Sequence, residues 1–97
     1  MQFSRELRAD VAAGAITLSV RRWQRQQVRV GGRYQVPGIP GATIEITAVE
    51  LVPFAAITDD DVRRSGEPDR ETLRARAAHA GPIADDTPVY RIEFRPA

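Results

Sequence analysis

The segment that decides the fold is an alternating stretch early in the chain, Gly14-Ala15-Ile16-Thr17-Leu18-Ser19-Val20-Arg21-Arg22-Trp23. Apolar and polar side chains alternate along it, which is the period-two pattern of a strand with one buried face. We therefore predict that Ile16, Leu18 and Val20 face the core. The opposite face carries two hydroxyl groups and a guanidinium, and it leads into Trp23, the only tryptophan. This polar face is therefore the predicted binding site.

The composition is that of one ordinary globular domain. At 97 residues, with 42 % hydrophobic and 28 % charged residues, the chain is long enough for one modest core and too short for two domains. It has no cysteine, so disulfides and thiolate metal sites are excluded. Its apolar runs are far shorter than a membrane span, and the first ten residues are charged rather than apolar as in a signal peptide. We expect a single domain over residues 1–97, located in the cytoplasm.

The net charge of +1 hides an uneven distribution along the chain. The segment from Val11 to Ile44 has five arginines and no acidic residue, whereas the segment from Glu45 to Ala97 has eleven acids and seven arginines. A basic segment of this kind is typical of a surface that binds phosphate or another anion. The alternative is a solvated loop in a chain that uses arginine throughout, since all 14 basic residues are arginine.

Local signals predict the other helices and strands. They indicate a helix over about Arg5–Ala13 capped by Ser4 and ended by Gly14, strands over Arg33–Val36, Thr43–Phe54 and Val89–Arg95, a helix capped by Thr58, and a helix after Pro68 capped by Asp69 or Glu67 and ended by Gly81-Pro82. In the long strand the apolar residues change parity near Ala48–Glu50. That change predicts a β-bulge.

Three further features invite a chemical interpretation, and each has a simpler one. Asp59–Asp61 fall in the first turn of a predicted helix, where negative charge is favourable, and they lack the spacing of a calcium loop. Gly31-Gly32 is a turn signal without the lysine and hydroxyl of a phosphate-binding loop. His79 falls near a helix C-terminus, which favours histidine through the helix dipole alone. We expect no bound metal, no cofactor and no catalytic residue.

The order of the elements predicts the α+β class, as a small open β-barrel with short flanking helices, because a few strands with a bulge hide their edges by curling. The chain also resembles an ASCH domain, a member of the PUA-like superfamily. The resemblance rests on Gly14–Arg21 set against the pattern G-x-K-x-x-E-x-R, and on Val30-Gly31, Ile44–Val49, Ile57–Val62 followed by Gly66, and Val89–Phe94. It covers nearly the whole chain and implies a PUA-like barrel.

Two positions of the family pattern differ in this chain. Ile16 stands where the pattern has lysine, and Ser19 stands where it has glutamate. Some relatives hydrolyse an acyl amide of a modified cytidine with a lysine and a threonine of this strand and a glutamate of the helical region. Their positions correspond to Ile16, Ser19 and the neighbourhood of Ser65, with Glu67 close by. Serine keeps a hydroxyl, but isoleucine cannot polarise it or stabilise an oxyanion, so we expect that chemistry to be absent.

The leading hypothesis is a non-catalytic module that binds RNA or a nucleotide-like ligand in a cleft beside residues 15–23. Arginine forks would contact phosphates, the indole would stack on a base, and a hydroxyl would bond to base or sugar. The predicted binding residues are Gly14, Thr17, Ser19, Arg21, Arg22, Trp23 and Arg25. The alternatives are an RNA-directed hydrolase or ribonuclease, a protein-interaction or regulatory domain, and a purely structural role in which Trp23 packs over a barrel end. No membrane partner is expected.

Overall fold

Four strands and three α-helices form the fold in the computed structural model, which describes residues 1–78 and 80–97. In chain order the elements are a 3₁₀ turn (Arg5–Leu7), α1 (Arg8–Ala13), β1 (Leu18–Arg21), β2 (Arg33–Gln35), β3 (Thr43–Pro53), a second 3₁₀ turn (Phe54–Ala56), α2 (Asp59–Arg64), α3 (Arg70–Ala77) and β4 (Pro88–Pro96). None of the helices in the described ranges is both long enough and apolar enough to cross a membrane.

The strands form one antiparallel sheet in the order β1-β4-β3-β2. On β1, Leu18 lies opposite Glu93 and Arg21 lies opposite Tyr90. Within residues 1–78 and 80–97 the two outer strands, β1 and β2, do not pair with each other, so the sheet is not closed into a barrel. The predicted α+β class and short helices are therefore confirmed. In place of the predicted barrel, the described residues form an open four-stranded sheet.

The long strand β3 carries the predicted β-bulge. The pairing with β4 shifts register between Ile46 and Ala48, with Thr47 as the extra residue, slightly earlier than expected. Beyond it, Leu51 lies opposite Tyr90. Cross-strand partners share a face, so the bulge, by taking up the extra residue, keeps Ile44, Ile46, Val49 and Leu51 on one side of the sheet.

Two apolar clusters cover the two faces of this sheet. The first contains Phe3, Val11, Ile16, Val28, Val36, Ile44, Ile46, Ile92 and Phe94. The second contains Leu18, Val20, Phe54, Ile57, Val62, Leu73, Ala77, Ile83 and Val89. Leu18, Val20 and Ile16 are all buried as predicted, although Ile16 belongs to the first cluster and the two strand residues to the second. Ser19 and Arg21 are only half-buried, which confirms the alternation of β1.

The predicted cap of α2 is confirmed and extended. Thr58 Oγ1 accepts a hydrogen bond of 3.0 Å from the Asp61 backbone N–H, and an Asp61 carboxylate oxygen accepts one of 3.0 Å from the Thr58 N–H. This reciprocal pair is a capping box. At α3 the cap is Asp69, whose side chain accepts a bond from the Thr72 N–H at 2.7 Å.

The first helix begins differently from the prediction. Ser4 makes no capping hydrogen bond with its side chain, and a 3₁₀ turn precedes α1. Gly14 ends α1 with a φ of 81°, as expected of a glycine at this position. The expected place of His79 in the last turn of α3 lies outside the described residues.

Candidate functional site

A cleft of about 450 Å³ opens beside β1, between the N-terminal segment and the α2–α3 region. We call it the edge cleft. Its polar lining residues are Gln2, Ser4, Ser19, Arg21, Ser65, Glu67 and Arg76, and its apolar ones include Phe3, Leu7 and Ile16. A mostly apolar concavity of this size with a few convergent polar groups has the dimensions of a small-molecule site.

Arg21 is the most unusual group in the edge cleft. Its Nε donates to Ser19 Oγ at 2.8 Å and its Nη2 donates to the Gln2 carbonyl, while the guanidinium carbon lies 5.3 Å from the centre of the Phe3 ring. No carboxylate of residues 1–78 and 80–97 forms an ion pair with it. Burial lowers the pKa of the Arg21 guanidinium to about 10, so the group stays charged at neutral pH.

A buried carboxylate provides the second charge of the edge cleft. The Glu67 side chain is 5 % exposed and lies 3.0 Å from Arg76 Nε. Arg76 Nη1 also donates to Ser4 Oγ at 3.0 Å and to the Glu6 carboxylate at 2.7 Å. Burial raises the pKa of Glu67, and the charge of Arg76 opposes that effect. Arg76 therefore ties α3 to the N-terminal segment through Ser4 and Glu6 and holds the Glu67 carboxylate at the same time.

Ile16 occupies a tight position in the wall of the edge cleft. It is buried, and a Cβ added at Gly66 would lie only 2.4 Å from its Cδ1. Gly66 also has a φ of +80°, which disfavours any other residue. The position where the family pattern has a lysine thus holds an apolar side chain packed against backbone.

A second, open groove of about 840 Å³ adjoins the cleft, and Gln2 and Arg21 line both. We call it the tryptophan groove. It is lined by Gln2, Arg21, Arg22, Trp23, Gln24, Arg25, Gln27 and Ala80. Arg22 Nη1 donates to the Ala80 carbonyl at 2.8 Å. The Trp23 ring lies 5.8 Å from the Tyr90 ring, centre to centre, at a tilt of 43°. Trp23 is half-buried, so one part of the indole packs inward and the rest stays accessible.

Comparison with solved structures identifies the fold that holds these two cavities. A crystal structure of an ASCH domain from Lactobacillus crispatus JV V101 matches 94 % of this chain and 70 % of its own length, with a TM-score of 0.75 and 20 % identity. This chain has the ASCH-domain fold. A crystal structure of an Enterococcus faecalis V583 protein, described under the family model DUF984, matches 95 % of the chain and 70 % of its own length, with a TM-score of 0.70 and 18 % identity. No protein-family model and no curated protein matches the chain.

Within the ASCH fold, five of the seven predicted binding residues come together around the two cavities. Ser19 and Arg21 line the edge cleft, and Arg21, Arg22, Trp23 and Arg25 line the tryptophan groove. The other two predicted residues lie elsewhere.

Gly14 and Thr17 have structural contacts instead of places in either cavity. A Cβ on Gly14 would lie 3.1 Å from the Pro96 side chain. Thr17 Oγ1 accepts a hydrogen bond from Arg64 Nε at 3.1 Å. From the basic segment, Arg33 pairs with Glu45 at 3.3 Å. These contacts depend on residues far away along the chain.

The aspartates of α2 each have an arginine partner. Asp59 pairs with Arg70, Asp60 with Arg63 and Asp61 with Arg91. Among residues 1–78 and 80–97 no group of three or more histidine, cysteine, aspartate or glutamate side chains is placed to hold a metal ion. The aspartates of this ASCH fold therefore act in ion pairs and caps.

Proposed function

We propose that this protein is a non-catalytic binding module for RNA or a nucleotide-like ligand, held in the edge cleft and the tryptophan groove. The observation that carries the proposal is Arg21. Its guanidinium lies where the two cavities meet, is partly desolvated, and has no carboxylate partner in the described chain. A partly desolvated cation without a counter-charge favours an anionic ligand, since removing an unpaired charge from water costs free energy.

The surrounding residues suit a nucleotide. Arg22 and Arg25 can contact phosphates along the tryptophan groove, and the accessible part of Trp23 can stack on a base. The edge cleft can hold a nucleoside-sized group, with Ser19 and the Glu67 carboxylate as hydrogen-bond partners for base or sugar.

The finer fold assignment belongs to the same proposal. We take the bulged, four-stranded sheet as a partly curled, PUA-like sheet whose outer strand β1 presents the ligand site. We also place the protein in the cytoplasm, which a cysteine-free sequence permits.

Two side chains in the edge cleft support the expectation that the protein does not hydrolyse an amide. Ile16 offers no amine, and among the described residues Ser19 Oγ is bonded to the Arg21 guanidinium, which is not a base. We expect no amide hydrolysis of acetylated cytidine. Turnover by the wild-type protein that disappears in Ser19→Ala would contradict this expectation and favour the hydrolase alternative.

The test uses the fluorescence of Trp23 during titration with single-stranded RNA at several salt concentrations. Three arginines, Arg21, Arg22 and Arg25, line the groove, so the slope of log affinity against log salt should be about −2.1, from roughly 0.7 for each phosphate contact. Arg21→Ala should weaken binding and flatten the slope by about 0.7. The matched control is Arg33→Ala, because Arg33 is exposed and already paired with Glu45.

Two results together would overturn the proposal. The first is that RNA of any sequence leaves the Trp23 fluorescence unchanged at low salt, and the second is that Trp23→Ala destabilises the protein. Trp23 would then be a packing residue, and a protein partner would become the leading hypothesis.

A further inference from the structure

A third hollow lies on the other side of Trp23. It measures about 370 Å³ and is lined by Arg22, Trp23, Leu51, Pro88 and Tyr90, with Gln24, Ala80 and Thr87. We call it the Tyr90 hollow. It shares Arg22 and Trp23 with the tryptophan groove, as that groove shares Arg21 with the edge cleft. Neighbouring cavities share lining residues, so the three lie side by side at the end of β1, and we call this row of cavities the track.

The Tyr90 hollow exposes an apolar surface that the fold does not cover. Leu51 is 59 % exposed and lies opposite Tyr90 on the sheet. Trp23 packs against Tyr90 with a ring-centre distance of 5.8 Å. The two half-buried aromatic rings and the exposed Leu51 side chain form a platform on which a base can stack.

The charge along the track points to a polyanion. Arg21, Arg22 and Arg25 line its open part, and in the described chain no aspartate or glutamate lines the tryptophan groove or the Tyr90 hollow. Among residues 1–78 and 80–97, the one carboxylate that lines the track is that of Glu67 in the edge cleft, which is paired with Arg76. Alternating arginine forks and aromatic faces are the combination that binds single-stranded nucleic acid.

We infer that the ligand is a single RNA strand of at least three nucleotides, with one nucleotide in the edge cleft, one in the tryptophan groove and one on the Tyr90 hollow. This inference rests on the proposed function and makes it more specific, because a free nucleotide fills only one of the three places. The observation that carries it is that neighbouring cavities share lining residues, Arg21 between the first two and Trp23 between the last two.

The experiment measures affinity against length with oligouridylates of one to six nucleotides, from Trp23 fluorescence. Affinity should rise by about tenfold for each nucleotide up to three, since each stacked base adds stabilisation, and should then level off. Equal affinity for one and three nucleotides would overturn the inference and leave the proposed function standing. No binding at any length would overturn both.

A matched pair of variants tests the Tyr90 hollow itself. Leu51→Asp places a negative charge on the platform and should weaken the trinucleotide about tenfold while leaving the mononucleotide unchanged. Val30→Asp is the control, because Val30 is 60 % exposed and lines none of the three cavities. Circular dichroism melts establish that both variants fold. Equal effects of the two variants on the trinucleotide would overturn the inference.

Polyglutamate of matched charge separates recognition of RNA from attraction to any anion. We expect it to bind far more weakly than the trinucleotide, because it has no bases to stack. Equal binding of the two polymers would mean that the track recognises only negative charge, and the inference would be wrong.

Discussion

Two arginines on neighbouring strands have opposite surroundings. Arg91 on β4 lies 2.8 Å from the Asp61 carboxylate, 3.0 Å from Glu50 and 3.4 Å from Glu93. The hydrogen bond to Asp61, and after it the one to Glu93, raise the pKa of Arg91. Arg21 on β1 has no carboxylate partner in the described chain, and burial lowers its pKa. The fold neutralises one guanidinium and leaves the other without a counter-charge among the described residues.

Under the proposed function, the residues that stabilise the fold are different from the residue that binds the ligand. The Arg91 network extends to Arg64, which pairs with Glu93 at 2.6 Å and donates to Thr17. Asp61 also closes the capping box of α2. These charges fix α2 on one face of the sheet, whereas the Arg21 guanidinium contacts a hydroxyl, a backbone carbonyl and the Phe3 ring, all of them uncharged.

Removing the Arg91 side chain should have the largest effect on stability. Arg91→Ala leaves the Asp61 carboxylate, whose side chain is 6 % exposed, without its partner, and we expect a loss of about 3 kcal/mol in the free energy of unfolding. Urea denaturation measures it. The control is Arg95→Ala on the same strand, since Arg95 is 66 % exposed in its pair with Glu45 and should contribute less than about 1 kcal/mol. Equal losses would contradict the buried role of Arg91.

Replacing Arg21 should produce the reverse pattern. Arg21→Met removes a desolvated charge and two hydrogen bonds, so the free energy of unfolding should stay within about 1 kcal/mol of wild type. RNA binding should weaken by roughly 10- to 100-fold, as expected for hydrogen bonds from a charged donor. Denaturation and fluorescence titration of the same preparation give both values. If Arg21→Met unfolds as readily as Arg91→Ala, Arg21 is a structural residue.

A variant that lacks the capping box tests how far the Arg91 ion pairs depend on the start of α2. Thr58→Ala removes the hydroxyl that accepts the Asp61 N–H, and we expect a loss of about 1 kcal/mol and a fall of several degrees in Tm. Thr58→Ser keeps the hydroxyl and is the control. A Thr58→Ala protein that melts at the wild-type temperature would show that Arg91 alone positions Asp61.

The smallest expected effect is the pH dependence contributed by Glu67. Burial raises the pKa of Glu67 in the folded state above its ordinary value of 4.5, so the folded protein binds the proton more tightly than the unfolded chain. Its contribution to stability is therefore greatest below pH 4.5 and declines as the pH rises through the folded-state pKa. Glu67→Gln should abolish this decline, measured by urea denaturation between pH 4 and 7. A Glu67→Gln protein with the same pH slope as wild type would contradict the assignment.

Local patterns of the sequence predict most of the secondary structure. The parity change in β3 indicates the bulge, and Thr58 followed by Asp61 indicates the cap, because both signals lie within a few residues. The strand β1 is recognised in the same way, from the alternation of Leu18, Ser19 and Val20. Such features require no knowledge of the tertiary structure.

The candidate site is only partly predictable, since long-range contacts decide which polar residues remain available. Thr17 has the same parity as Ser19, but Arg64, 47 residues away, occupies its hydroxyl. Arg33 belongs to the basic segment, but Glu45 pairs with it across β2 and β3. The contacts of Arg76 with Ser4 and Glu6, about 70 residues away, form only when α3 packs beside the N-terminal segment, and no local signal predicts them.

The bulge makes β3 tolerant of a deletion at one position. Without Thr47, Ile46 and Ala48 would be consecutive residues opposite the consecutive residues Phe94 and Glu93, so the pairing of β3 with β4 would continue without a shift. Leu51 would stay opposite Tyr90, and Glu50 would stay beside Arg91. A deletion of this single codon would therefore change the local bend of the strand and spare both the Tyr90 hollow and the ion-pair network.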